Sequence, residues 1–440
     1  MALTPNTVLP GTGQIYAATE RTVGGALAKN QHVLINAFDG PSCDAFGRWR
    51  TSSPHALFDS KLLGGHKDAP QWDESLETGS GISSSTPTAA KPYIDFTSTD
   101  ATAGKFTRQT RRYFNYQPGK SQLILVTGVL ELASGTKTGC ERRIGYFDDN
   151  NGVFFESDAG AIGVSVRSND SGSPADTTVL QASWNLDTLD GDADASNPSG
   201  ITADWTKAQI FVIDFQWLSV GRVRFGVELN GMLHYVHEVL TTNVAAIPWA
   251  ATPNLPIRYQ MITTSGSGVC TMRAICSTVI SEGGVSLVGP IHSHGTTDHV
   301  NANVADSVYA LLGLRLKTAN LGASISLIAV SVLAETADSY EWRIYSNPTV
   351  AGTFAYSDKT NSGLQVATGD SANPSTNTIT GGTVLARGFG ETKSESTLNL
   401  EPMDGIGSQI DGTLDTIVLA VRPLGSNADI QGSLTWREIS

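Results

Sequence analysis

IDFQWLSVGRVRFGVELNGMLHYVHE, from Ile213 to Glu238, carries three carboxylates, two arginines and two histidines on what read as neighbouring strands. The fold reading turns on whether these residues are a catalytic set or one wall of a sheet. Asn230-Gly231 is a two-residue hairpin signal of type I′, since both residue types accept the positive φ that such a turn needs. The turn pairs Leu229 with Met232 and, counting outward, brings Arg224 towards the residues near position 237. Successive side chains of a strand point to opposite faces, so Val223, Phe225, Val227 and Leu229 join Met232 and Val236 on the core side. The opposite side carries Arg222, Arg224 and Glu228 with Leu233, Tyr235 and His237. On the preceding strand Phe211, Ile213, Phe215 and Trp217 are the apolar side, and Asp214 faces the other way between Val212 and Gln216. The stretch is a three-stranded meander with one buried wall. Its other wall, Arg222, Arg224, Tyr235 and His237, is the candidate face for a glycan or a second subunit.

A glycosidase on such a sheet needs two carboxylates across the scissile bond, which a strand supplies at i, i+2 or i+4. Asp214 has Val212 and Gln216 at those places, and Glu228 and Glu238 lie at a hairpin end and across from arginines. They read as paired strand charges rather than as an acid and a nucleophile. The chain has no phosphate-binding glycine loop, no nucleophile elbow and no Cys-x-x-Cys pair, so no enzymatic activity and no cofactor are expected.

Beyond this stretch, short β-like runs recur throughout the 440 residues, among them "SQLILVTGVLEL", "AIGVSVRS", "ASISLIAVSVLAE" and "IQGSLTWREI", separated by Gly, Asn, Asp and Pro turns. No amphipathic helix of normal length and no fixed-period repeat interrupts them. The expected fold is all-β, with two β-sandwich domains of jelly-roll or lectin-like type: an extended N-terminal arm over 1–40, a first sandwich over 41–288 and a second over 289–440.

A net charge of −13 with only 16% charged residues argues against a polyanionic partner. The one basic cluster, Arg108 to Lys120, sets three arginines beside aromatics but reads as a strand edge or subunit contact, so no nucleic acid is expected. No apolar run is long enough for membrane insertion, and no signal peptide is recognisable, which implies synthesis in a cytoplasm. Free thiols are expected: Cys43 and Cys140 stand alone, and Cys270 and Cys276 on one straight strand would be roughly 20 Å apart.

Two runs resemble metal sites. In "HSHGTTDH", His292, His294 and His299 with Asp298 are candidate ligands, and His292 and His294 share a side if extended; a polar linker is the competing reading. Asp190, Asp192 and Asp194 alternate as in calcium loops, without the Gly at the sixth place and the Glu at the twelfth that an EF-hand requires, which favours a solvated loop.

Several long runs are similar to an uncharacterised family of tailed-bacteriophage proteins: "DAFGRWRTSSPHALFDSK" (44–61), "FNYQPGKSQLILVTGVL" (114–130), "RIGYFDDNNGVFFES" (143–157), "GITADWTKAQIFVIDFQWLSVGRVRFG" (200–226), "ICSTVISEGG" and "VLAVRPLGSNADIQGSLTWREI". The resemblance implies a virion structural protein, made in the host bacterial cytoplasm, and carries no catalytic residues with it. Its expected partners are other capsid or tail proteins and further copies of itself as a trimer or hexamer, tied by the arm and a sheet face. Head decoration, fibre, tail and baseplate all fit. The alternative is a carbohydrate-binding adhesin that holds a host-surface glycan.

Overall fold

The structure, a computed structural model, describes residues 4–5, 17–23 and 26–32 and, from 53 to 439, all but 68–69, 100–102, 133–137, 193, 287, 337–338, 392–394, 400–405 and 426–427. The chain divides into two units, Met1–Ser53 and Pro54–Ser440. In the first, β1 (Thr4–Pro5), β2 (Ala17–Val23) and β3 (Ala26–His32) form an antiparallel sheet in that order. Residues 17–32, expected within an extended arm, instead pair with one another from Ala17 opposite His32 to Val23 opposite Ala26. Their polar composition hides the strands from a hydrophobic-periodicity reading, although Gly24-Gly25 in the sequence is a hairpin signal. Cys43 lies outside the described residues.

The second unit is all β apart from three single-turn 3-10 helices among the described residues. Its first half holds β4 (His55–Ser60), β5 (Trp72–Gly79), β6 (Ile82–Ser84), β7 (Ile94–Ser98), β8 (Gly104–Thr110), β9 (Gln122–Val129), β10 (Cys140–Phe147) and β11 (Gly152–Asp158). It continues with β12 (Ala161–Ser168), β13 (Ala175–Leu180), β14 (Gln209–Phe215), β15 (Val223–Leu229), β16 (Met232–Val239), β17 (Ile257–Thr263) and β18 (Thr271–Ser281). A seven-stranded sheet runs β13-β12-β11-β10-β17-β8-β5, and an eight-stranded sheet runs β16-β15-β14-β9-β18-β7-β6, with β4 also on β18. All their pairings are antiparallel. The two sheets stack as a sandwich: Phe155 of β11 meets Phe211 of β14 at 4.9 Å and Phe225 of β15 at 5.5 Å between ring centres.

Alternation explains which residues go in. Along β9, Ile124 and Val126 are buried while Leu123, Leu125 and Thr127 are only half-covered. Cys140 at the start of β10 and Cys270 just before β18 face each other across the core and form an inter-sheet disulfide, Cα to Cα 6.2 Å. This corrects the expectation of free thiols. The partner of Cys140 is 130 residues away, so no sequence spacing pointed to it; Cys276 is free.

The second half holds β19 (Ile291–Gly295), β20 (Val300–Ala302), β21 (Tyr309–Leu316), β22 (Ser324–Ala334), β23 (Tyr340–Ser346), β24 (Thr349–Val350), β25 (Ser357–Asp358) and β26 (Leu364–Thr368). β27 (Ile379–Thr380), β28 (Thr383–Gly390), β29 (Glu395–Asn399), β30 (Thr416–Pro423) and β31 (Ala428–Ile439) complete it. One sheet runs β19-β31-β22-β29 with β20 also on β31, the other β25-β26-β21-β30-β23-β28, and β24 and β27 make a small ribbon. Their shared core includes Leu314, Leu419, Val330, Ile344 and Trp436. β31 shows period two plainly: Ala428, Ile430, Gly432, Leu434 and Trp436 are all buried and the residues that alternate with them are half-covered.

Each half thus has its own core, the first from Phe58 to Val279 and the second from Val300 to Trp436, within one compact unit. The halves are joined by specific bonds. Arg111 Nη1 reaches Asp415 Oδ1 at 2.8 Å, Asn254 Nδ2 donates to the Gly322 carbonyl at 2.9 Å, and the Ile410 amide donates to Asp73 Oδ2 at 2.8 Å. At Gly407 a Cβ would lie 1.9 Å from the Arg111 carbonyl oxygen, so only glycine lets the two backbones approach this closely. The basic cluster is absorbed by such contacts: Arg108 binds Glu74 at 2.6 Å, Arg111 binds Asp415, and Arg112 lies 5.6 Å above the Phe114 ring.

Candidate binding face

The meander of β14, β15 and β16 has the hairpin read from the sequence, with φ of 55° at Asn230 and 76° at Gly231 as a type I′ turn requires. Register places Asp214 opposite Arg224, and Arg224 opposite Glu238, on the outer side of the eight-stranded sheet. Arg224 Nε donates to Asp214 Oδ2 at 3.1 Å, Arg224 Nη2 donates to the same oxygen, and the Tyr235 hydroxyl donates to it at 2.9 Å. The guanidinium also stacks 4.2 Å from the centre of the Tyr235 ring. Tyr235 can lie over the strand because its cross-strand neighbour is Gly226, where a Cβ would come within 3.2 Å of the ring. Burial, and then the Asp214 charge, hold the Tyr235 hydroxyl far above its ordinary pKa, so it stays a donor. Three donors therefore converge on Oδ2, and Asp214 Oδ1 has no protein partner among the described residues. Arg222 pairs with Glu238 at 3.7 Å at the rim, and half-buried Leu123 and Ile280 continue the same face.

His237 does not belong to this face. A bulge between Phe225 and Gly226 pairs Tyr235 with Gly226 but His237 with Phe225, so β16 spends one extra residue, Val236, and the alternation inverts. His237 turns inward, 7% exposed, with its ring 6.4 Å from that of Phe225 and its Nδ1 accepting the Asn185 amide at 3.3 Å. Counting by twos across the hairpin cannot detect such an insertion.

The metal-like histidines are not brought together. His292 and His294 do share a side of β19, opposite Trp436 and Leu434 respectively. His292 lies over Trp436 with Nε2 3.8 Å from Glu438, whereas His294 Nε2 meets the Thr368 hydroxyl at 3.0 Å. His299 sits before β20, whose Val300 pairs with Ile430, with Nδ1 3.2 Å from Glu335 and Nε2 3.9 Å from Asp429. Among the described residues no group of three or more His, Cys, Asp or Glu side chains is placed to hold a metal ion. The aspartates of the acidic loop serve its own backbone: Asp190 Oδ1 accepts the Asp192 amide at 3.1 Å, and Asp194 Oδ1 accepts the Ser196 amide at 2.7 Å.

A second polar layer escaped the sequence reading altogether. Phe147 and Phe154 point away from the core on the outer side of the seven-stranded sheet, their rings 4.5 Å apart. Three guanidiniums seal them: Arg143 over Phe154 at 5.1 Å, Arg258 over Phe147 at 5.4 Å, and Arg167 over both at 5.8 and 5.3 Å. Carboxylates then neutralise the arginines, Asp176 bonding Arg167 at 2.7 Å and Arg143 at 3.2 Å, and Asp149 bonding Arg258 at 2.7 Å. Burial raises the pKa of Asp149, but the Arg258 and Lys105 charges outweigh it and bring the carboxyl down to about 2. Glu156, 6% exposed, accepts the Ser165 and Thr178 hydroxyls at 2.7 and 2.8 Å. The arginines and carboxylates of this layer pair mainly with one another, so the layer is structural. Its only sequence signal is the doublet Phe154-Phe155, one ring for each side of β11.

The fold and the face define an all-β, antiparallel sandwich protein with a paired polar outer wall. No protein-family model and no curated protein sequence matches the chain. Among solved structures, the chain is similar to an endo-1,3-β-glucanase from Streptomyces sioyaensis (TM-score 0.36, 9% identity, 54% of this chain and 99% of that one). It is also similar to the carbohydrate recognition domain of Emp47p (TM-score 0.32, 9% identity, 51% and 94%) and to a legume lectin-like domain from Entamoeba histolytica (TM-score 0.30, 11% identity, 51% and 99%). At these values the likeness assigns neither a ligand nor an activity to this chain.

Proposed function

We propose that the chain is a non-catalytic carbohydrate-binding protein that holds a glycan on the outer face around Asp214. The observation that carries this reading is the one-sided anchoring of that carboxylate. Oδ2 is fixed by Arg224 and Tyr235, leaving Oδ1 as a preorganised acceptor beside a guanidinium and a phenol. Such an array matches a sugar hydroxyl, which donates to Oδ1, while half-buried Leu123 and Ile280 offer apolar surface to the C–H side of a sugar ring. Hydrolysis would need a second, free carboxylate beside Asp214, whereas Glu238 is paired with Arg222 and Glu282 accepts the Ser121 hydroxyl. The test is an array of bacterial and host-surface glycans probed with the full chain. Saturable binding to a defined set is expected, weakened about tenfold or more in Tyr235→Phe; an array without a hit would sink the reading.

A second reading, compatible with the first, is a subunit of a tailed-phage particle, as the sequence resemblance implies. Two features support it: Met1–Ser53 is a unit of its own, and the edge strand β28 exposes Val384, Leu385 and Phe389, the last 66% exposed. Light scattering on the purified chain should then give a discrete trimer or hexamer that loses its symmetry when residues 1–53 are removed. A monomer with and without them would count against self-assembly.

A further inference from the structure

Where the β13-β12 end of the seven-stranded sheet faces the β16-β15 end of its partner, the sandwich holds a cleft of about 290 Å³. Its walls are Val164, Val166 and Val179 from one sheet, Phe225 and Val239 from the other, and Trp249 from the segment after β16. Exposed Asp170 and Thr177 mark its mouth. Two of the lining residues each carry a polar atom that is buried without a hydrogen-bond partner: the indole Nε1 of Trp249, a residue 5% exposed, and the Ser168 hydroxyl. Buried polar groups are almost always paired, and an indole N–H can only donate.

His237, which the bulge turned inward, lines the same cleft. Its Nδ1 accepts from Asn185, so the proton sits on Nε2, and burial keeps the ring uncharged by lowering its pKa. The cleft therefore combines hydrocarbon walls with lining residues that carry a few neutral donors, the usual make-up of a small-molecule site. A sugar, with a hydroxyl on nearly every carbon, would leave most of them unpaired here.

We propose that this cleft binds a small, uncharged, largely apolar molecule bearing a hydrogen-bond acceptor such as a carbonyl oxygen, which takes the Trp249 indole proton. The site is separate from the Asp214 face, since the two lie on opposite sides of β15 and β16. The test uses two probes of one shape, 2-acetylnaphthalene and 2-ethylnaphthalene, against the full chain by saturation-transfer NMR and equilibrium dialysis. Both should bind, the ketone about tenfold more tightly. Trp249→Phe should erase that preference while keeping the hydrocarbon, and Val166→Trp should fill the cleft and exclude both. The inference is overturned if neither probe binds the wild-type chain, if the two bind it equally, or if folded Val166→Trp binds them as the wild type does. The comparison of probes on the wild type does not depend on either variant folding.

Discussion

Asp214 shows what alternation along a strand can and cannot deliver for a single side chain. Its lack of a carboxylate two places away on the strand, and its position on the same side as Arg224, were legible because β14 and β15 pair without interruption. What no spacing reveals is that all three donors choose the same oxygen. Asp214 is 7% exposed, so removing its carboxylate strands a guanidinium and a phenol on a half-buried surface. Asp214→Ala should therefore cost about 1–3 kcal/mol in urea unfolding, and Tyr235→Phe less, because the arginine keeps its partner. Equal losses in the two variants would mean that the carboxylate is not the hub. His237 and the three histidines at 292, 294 and 299 were misplaced for a different reason. A residue type suggests a ligand, but its orientation is set by a bulge in one case and by partners on β31 or from distant segments in the other.

At the level of strands, the pattern of short β runs and the Asn230-Gly231 turn were readable because period-two burial and turn chemistry are local properties. Three features were not. The hairpin of β2 and β3 is polar, the outward layer on Phe147 and Phe154 buries a sheet's second face, and the Cys140–Cys270 bridge joins strands of opposite sheets. Each depends on what packs against a strand rather than on the strand itself. Closing a loop of this length across the core makes the disulfide a sizeable contributor in the chain-entropy picture. Replacing both cysteines by serine should lower unfolding stability by about 2–4 kcal/mol. Peptide mapping without reduction should recover Cys140 linked to Cys270 and Cys276 alkylated; both core cysteines alkylated in the folded protein would contradict the pairing.

For the whole molecule, the bonds that join the two halves of the second unit were not legible in the sequence. Arg111, Asp415, Asn254 and Gly407 are far apart in sequence and carry no motif. Burial raises the carboxyls of Glu141 and Asp148, but the depressed ones outnumber them. Asp149, Asp176, Glu74, Glu341 and Glu438 are all held below their ordinary values of 3.8 and 4.5, because neighbouring cations or hydrogen-bond donors outweigh the burial that raises them. A carboxyl with a depressed folded pKa stabilises the fold fully above its unfolded pKa and ceases to do so as pH falls through the folded one. Thermal stability should accordingly be flat from neutral pH down to about 5 and drop steeply between about 4.5 and 2. A midpoint independent of pH across that window would show that these pairs contribute nothing.

The central claim is that the Asp214 face holds a glycan. Its most direct test is titration calorimetry of the strongest array glycan against the wild-type chain and Asp214→Asn, a change that keeps the side chain's shape and removes its charge. Binding to the wild type with unit stoichiometry per chain is expected, and a loss of about tenfold or more in a variant whose circular dichroism is unchanged. Equal affinity in the two proteins would place the glycan elsewhere than on the Asp214 face.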